Sequence, residues 1–257
     1  AGKGVGSMNA IAQGMMTLDE AAQACGGVAH HADANTLLFS GVSTDSRSIA
    51  AGELFVALKG EHFDGHAYVG QTLAQGAAAA MVEQGWAQAQ GAALQGMPLI
   101  VVSDTRLALG ALSAHWRNKF DIPLIGVTGS NGKTTIKEMC AAILREQARR
   151  SGNDPATAVL ATTGNLNNDI GLPLMLLRLR PTHRAAVIEM GMNHSGEIAY
   201  LSTLAAPTVA LVNNAQRAHL EGLGSLSEVA RAKGEIFCGL RKNGVAVINA
   251  DDSHAAL

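Results

Sequence analysis

The chain has 257 residues, enough for one large or two ordinary domains, and at 47% hydrophobic and 16% charged it has the makings of a sizeable core. A formal charge of −2 excludes the clearly basic balance of a sequence-blind nucleic-acid binder. No apolar run reaches the roughly 18 residues of a membrane span, and with 4% aromatic residues the core has to be built from Ala, Val, Leu, Ile and Met.

Ala1 to Ser7, ahead of Met8, reads as a cloning remnant rather than a signal peptide, because no apolar stretch follows it. From about residue 15 the pattern is mixed. Leu54 to Leu58 reads as a buried strand, Asp64-Gly65 as a turn, and residues 67–75 as a helix. Ala78 to Val82 and Leu99 to Val102 are short apolar runs of strand length. Asp104 is placed to cap a helix whose stripe is Leu109, Leu112, Trp116 and Phe120. Asp121-Ile122-Pro123 breaks that pattern, which puts a domain boundary between residues 8–121 and 122–257.

Beyond the boundary, strand and helix alternate. Strands are predicted at 124–127, 159–161, 185–189, 209–213 and 245–249. Helices are predicted at 134–149, with Ile136, Met139, Cys140, Ile143 and Leu144 on one face, and near 171–179, 195–205 and 225–240. Repeated units of this kind imply an α/β domain with a mostly parallel sheet, whose ligands lie beyond the carboxyl ends of the strands. The last unit looks unfinished at Leu257, so a truncated central domain is expected. Cys140 and Cys238 fall among apolar residues of predicted helices; with Cys25 they read as buried free thiols in a reducing cytoplasm.

Between the strand at 124–127 and the following helix runs Gly126-Val127-Thr128-Gly129-Ser130-Asn131-Gly132-Lys133-Thr134-Thr135. Backbone amides in such a turn can nest around phosphate oxygens, the helix N-terminus adds partial positive charge, Lys133 can reach the β/γ-phosphates and Thr134 can bind Mg2+. The strict phosphate-loop pattern asks for glycine where Val127 stands, so an ordinary glycine-rich turn is the alternative. Glu189, at the end of an apolar strand, is placed either to hold Mg2+ or to cap a helix. Lys233 interrupts the seam Leu226, Val229, Ile236, Phe237 and Leu240. Buried, its amine would lose its proton readily and could take up CO2 as a carbamate; otherwise it snorkels to solvent. His219 alone is more often a surface histidine than a ligand.

Four blocks in order carry a family resemblance: Thr128 to Thr135, Thr162 to Gly171 (TTGNLNNDIG), Glu189 to His194 (EMGMNH) and Ala230 to Phe237 (ARAKGEIF). With Ser43-Thr44-Asp45-Ser46-Arg47 and Gly52 to Ala57 (GELFVA), they resemble the Mur ligases, the ATP-dependent amide-forming enzymes of peptidoglycan precursor synthesis. The Asn-Leu-Asn-Asn block and Ala218 to Gly222 (AHLEG) resemble the branch that adds D-alanyl-D-alanine.

The resemblance implies an N-terminal uridine-nucleotide-binding α/β domain, a central P-loop ATP domain and a third domain that this chain lacks, so the fragment alone is expected to be inactive. It implies that Gly129, Ser130, Asn131, Gly132, Lys133, Thr134, Thr135, Asn165 and Asn168 bind ATP. Ser43, Ser46, Arg47, Glu61, His62, Thr162 and Thr163 would hold a UDP-N-acetylmuramoyl-peptide. Thr134 and Glu189 would bind one Mg2+, and His219 with a carbamylated Lys233 a second; Lys133, Glu189, His219 and Lys233 form the catalytic set. The implied reaction runs through an acyl phosphate to an amide, in a cytoplasmic, monomeric enzyme serving cell-wall synthesis, cell shape and division. Two alternatives stand beside it: the related ligase that adds a diamino acid as third residue, and a P-loop nucleotide binder without ligase activity.

Overall fold

The structure, a computed structural model, describes residues 14–216 and 225–256. Its contacts divide the chain into two compact units, residues 1–108 and 109–257. The division falls inside a helix, and the boundary read at Asp121 lies just past that helix's end.

The first unit holds β1 (Met16–Thr17), α1 (Leu18–Ala24), β2 (Val28–His30), β3 (Leu38–Phe39), β4 (Val42–Ser43), β5 (Leu54–Val56), α2 (Val69–Ala74), β6 (Ala79–Glu83), α3 (Gln84–Gln90) and β7 (Leu99–Val102). Five strands form a sheet in the order β2-β7-β6-β5-β4, parallel except for β2, and β1 pairs with β3 antiparallel. Leu54, Phe55 and Val56 are all buried, as expected of a strand covered on both faces. Behind them His66 is buried and used structurally. Its Nδ1 lies 2.6 Å from Asp64 Oδ1, and its Nε2 accepts from the Glu83 amide at 2.9 Å, so the ring fixes the turn before α2.

The second unit begins within α4 (Thr105–Asn118), capped by Asp104 Oδ1 on the amides of Arg106 and Leu107. It continues through β8 (Leu124–Thr128), α5 (Lys133–Arg150), α6 (Pro155–Ala158), β9 (Val159–Ala161), α7 (Gly171–Leu176), β10 (Ala185–Glu189), α8 (Glu197–Ala205), β11 (Val209–Val212), α9 (Leu226–Gly234) and β12 (Val245–Ile248). Its sheet is parallel throughout, ordered β12-β11-β8-β10-β9. From β8 the chain passes to the edge strand β9 and returns to β10 beside β8, then crosses to β11 and β12 on the other side. Such a reversal opens a crevice at the carboxyl end of the central strand. The register aligns those ends: Glu189 pairs with Val127 and Val212 with Thr128.

Three expectations are corrected. Met139 and Ile143 on α5 are 59% and 68% exposed, not core. The helix meets the sheet instead through Ala141 and Ala148, with Ile136, Cys140 and Leu144 half-buried beside them, because small residues let the backbone come close. Cys238 is exposed and Cys140 only half-buried. The helix expected over 225–240 is α-helical only to Gly234 and winds as a tighter 3-10 turn over Glu235–Gly239. Among the described residues no helix is long and apolar enough to cross a membrane.

Candidate active site

The turn between β8 and α5 is shaped by its two glycines. Gly132 sits at φ 73°, a left-handed conformation, and caps α5; a Cβ there would meet Asn213 Nδ2 at 2.9 Å. A Cβ on Gly129 would meet that of Asn213 at 3.0 Å. The segment after β11 thus lies directly against the turn and is bonded to it. Asn214 accepts from the Ser130 amide with its carbonyl and from the Asn131 amide with Oδ1, both at 3.0 Å. Asn213 Nδ2 donates to Asn131 O at 2.8 Å, and Gln216 exchanges bonds with Ser130 Oγ and Asn131 Nδ2.

Fewer amides of the turn are free to face an anion than the glycine run suggests. Ser130 and Asn131 have their amides committed to Asn214. What remains is the Gly132 amide and the first turn of α5, at Lys133, Thr134 and Thr135, to which the Gly132 cap offers no side-chain acceptor. Lys133 folds back over the turn, its Nζ donating to Gly129 O at 3.0 Å.

Glu189 ends β10 and is 3% exposed. Thr134 Oγ1 donates to its Oε2 at 3.0 Å, Asn167 Nδ2 donates to its Oε1 at 2.9 Å, and its own amide donates to Thr162 Oγ1 at 2.9 Å. A hydroxyl and a carboxylate that already touch make an all-oxygen pair suited to a hard cation. Among the described residues no three His, Cys, Asp or Glu side chains cluster as a metal cage. Few protein ligands, all oxygen, is the pattern of Mg2+, which keeps its waters and shares phosphate oxygens. The residues present fit that ion.

Lys233 does not snorkel. It is fully buried in α9 beside Val229, Ala232 and Ile236, and its Nζ has no hydrogen-bond partner among the described residues. Burial, aided by the charge of Lys133 and opposed by Glu235, lowers its pKa to about 8. His219 and the rest of its motif lie outside the described residues.

The other sequence candidates divide. Thr162 is buried on Glu189, whereas Thr163 is exposed and accepts from Arg178 Nη1 at 3.1 Å. Asn165 is exposed. Asn168 Oδ1 accepts from the Gly171 amide at 2.8 Å and so caps the start of α7. The asparagine on Glu189 is Asn167, which lies between the two named from the sequence. The four-residue block pointed to the loop, but nothing in it distinguishes which amide turns inward.

In the first unit, Ser46 and Arg47 line a cavity of about 620 Å³ with Thr44, Asp45, Phe63 and Tyr68. Phe63 and Tyr68 stack at 5.8 Å between centroids, a pair the sequence reading missed. Arg47 grips Asp45 through Nε and Nη2, both at 2.9 Å, and this holds the Asp45 carboxyl down at about 2. Ser43 Oγ accepts from the Asp45 amide at 3.2 Å and so braces the same loop. Glu61 and His62 are exposed and are not among the residues lining this cavity.

The Mur ligase middle domain matches residues 127–257, just over half of the chain, and the Mur ligase family catalytic domain matches residues 38–117. The UDP-N-acetylmuramoyl-tripeptide--D-alanyl-D-alanine ligase of Haemophilus influenzae is 51% identical over 213 residues, 83% of this chain and 44% of its own length. The MurF crystal structure from Acinetobacter baumannii superposes with a TM-score of 0.81 at 39% identity, covering 94% of this chain and 50% of that one. MurF from Thermotoga maritima in complex with ADP gives 0.70 at 31% identity, over 82% of this chain and 45% of that one. The chain spans about half the length of the relatives it matches. Its P-loop, its Thr134–Glu189 pair and these matches lead to one conclusion: the chain belongs to the Mur ligase family.

Proposed function

We propose that the full-length protein is an ATP-dependent ligase that joins D-alanyl-D-alanine to UDP-N-acetylmuramoyl-tripeptide in the cytoplasm. The observation that carries this reading is the pairing of Thr134 with Glu189 beside Lys133 at the carboxyl ends of β8 and β10. The choice of substrates is supported by the names of the relatives, 51% and 50% identical over 213 and 212 residues of this chain.

A carboxylate is a poor electrophile, so it has to be activated. Its oxygen attacks the γ-phosphorus of ATP, the bond to ADP breaks, and an acyl phosphate results. The uncharged dipeptide amine then attacks the carbonyl carbon, phosphate leaves with the C–O electron pair, and the amine proton passes to a base. Two anions meet in the first step, and this chain's part is to neutralise and position them. Lys133 supplies a cation, and the first-turn amides of α5 supply aligned donors. Thr134 and Glu189 would hold Mg2+, which when bound draws charge from the phosphoryl oxygens.

Lys233 fits a further part. Its neutral amine would attack CO2, forming an N–C bond as a C=O π bond opens and losing one proton to solvent. The product is a carboxylate on a long arm, and the buried Nζ, which has no partner among the described residues, supports that reading. In the first unit, the cavity beside Ser46, Arg47, Phe63 and Tyr68 offers stacking surface and a guanidinium to a uridine diphosphate.

The test is phosphate release from ATP by the full-length protein, given the UDP-tripeptide with and without D-alanyl-D-alanine. Dipeptide-dependent release is expected, and Lys133→Ala should abolish it while the protein stays folded. Release driven instead by a diamino acid and the UDP-dipeptide would move the assignment to the neighbouring ligase. Release without any amine would remove the ligase reading.

A further inference from the structure

Glu189 has two carboxylate oxygens with different company. Oε2 takes the Thr134 hydroxyl, and Oε1 takes Asn167 Nδ2 at 2.9 Å. Asn167 is itself held down, because its main-chain carbonyl accepts from the Gly191 amide at 2.8 Å. Gly191 has no positive φ, so its backbone does not call for glycine. Space does. A Cβ at position 191 would stand 3.0 Å from Asn167 Oδ1, 3.1 Å from Cγ and 3.2 Å from Nδ2. The missing side chain is what lets the Asn167 amide lie flat against the strand end and reach the carboxylate.

The geometry points to Asn167 as a positioning residue for the metal carboxylate, with Gly191 as the platform that admits it. The inference rests on the reading of Glu189 as the Mg2+ carboxylate. An isolated glutamate at a strand end can rotate its terminal plane, and only some orientations leave an oxygen beside the Thr134 hydroxyl. A donor fixed on Oε1 selects the plane in which Oε2 faces Thr134. Partners of this kind behind a metal ligand typically change metal affinity ten- to about a hundredfold when removed.

The experiment measures Mn2+ binding by electron paramagnetic resonance on the full-length protein with saturating ADP, alongside ADP affinity without metal and the melting temperature. Asn167→Ala should raise the Mn2+ dissociation constant by about tenfold or more while metal-free ADP affinity stays within about twofold. Gly191→Ala, which leaves every ligand in place, should do the same by displacing Asn167. The double variant should be no weaker than either single one, since both remove one interaction. Wild-type Mn2+ affinity in Asn167→Ala, with Glu189→Gln crippled, would overturn the proposal and leave the carboxylate assignment standing. Unchanged Mn2+ binding in Glu189→Gln would overturn both. A loss of metal-free ADP affinity in Asn167→Ala would overturn it in favour of a direct nucleotide contact, and additive losses in the double variant would remove Gly191 from it.

Discussion

Thr134 Oγ1 donates to Glu189 Oε2 at 3.0 Å, joining the first turn of α5 to the last residue of β10. Neither residue needs the other for the fold: Thr134 is exposed, and Glu189 keeps its bonds to Asn167 and Thr162. Thr134→Val, which preserves the side chain's shape but takes the donor from Glu189 Oε2, should cost only about 1 kcal/mol of stability. The Mg2+ concentration for half-maximal phosphate release should nevertheless rise about tenfold, and Thr134→Ser should restore it. A Mg2+ titration of the three proteins checks this.

Gly132→Ala combines two faults. Residue 132 holds φ 73°, which costs a non-glycine residue roughly 1 kcal/mol, and the new methyl would press on Asn213 Nδ2 at 2.9 Å. Asn213 is one of the groups that pin Asn131, so the fault spreads into the turn. ADP affinity, measured by calorimetry, is expected to fall by about tenfold or more, with the melting temperature only a few degrees lower.

Arg117 is fully buried, and among the described residues its hydrogen bonds go to main-chain carbonyls rather than to a carboxylate. Its guanidinium donates to main-chain carbonyls: Nε to Ala205 at 3.0 Å, Nη1 to Phe120 at 2.5 Å, and Nη2 to Ile122 at 3.3 Å and Ala206 at 3.4 Å. It closes the carboxyl end of α8, where Ala206 takes a left-handed φ of 42°. Burial lowers its pKa to about 10, so it stays protonated at neutral pH. Arg117→Met keeps the stem's packing and strands the carbonyls. A loss of about 3 kcal/mol is expected, or roughly 6–12 °C in melting temperature for a unit of this size, with scanning calorimetry as the check.

The sequence reading succeeded where a physical pattern is local. The strand into Thr128, the glycine turn and the helix from Lys133 are adjacent, and so could be read together. Lys233 stands out because a charge in the middle of an apolar seam has only two fates, but the residues alone favour snorkelling, and only the packing around α9 shows it buried. Other features depend on partners far along the chain. Strands β1, β3 and β4 have two residues each, too few for any periodicity. Met139 and Ile143 look like core on a helical wheel, but only the sheet's position decides which side of α5 is covered. The commitment of Ser130 and Asn131 to Asn214 is set across more than 80 residues, and no glycine spacing reveals it.

Lys233 also gives a prediction with a definite sign. Its amine titrates near 8 in the native state against an ordinary value of 10.5. Below about pH 8 both native and unfolded forms carry the proton, and the native state bears the full cost of a buried charge. Between 8 and 10.5 the unfolded chain holds more protons than the native one, so stability rises with pH through that window. Above 10.5 both are neutral and the cost is gone. Lys233→Met fills the same space without a charge and should escape this cost at every pH. In CO2-free buffer the variant should exceed the wild type by about 3 kcal/mol at pH 7. The gap should narrow toward zero by pH 10.5, since other groups titrate alike in both proteins and cancel from the difference. Urea unfolding across that range measures it. A constant gap, or one that widens with pH, would mean that the amine keeps its proton in the native state and is not available to react with CO2.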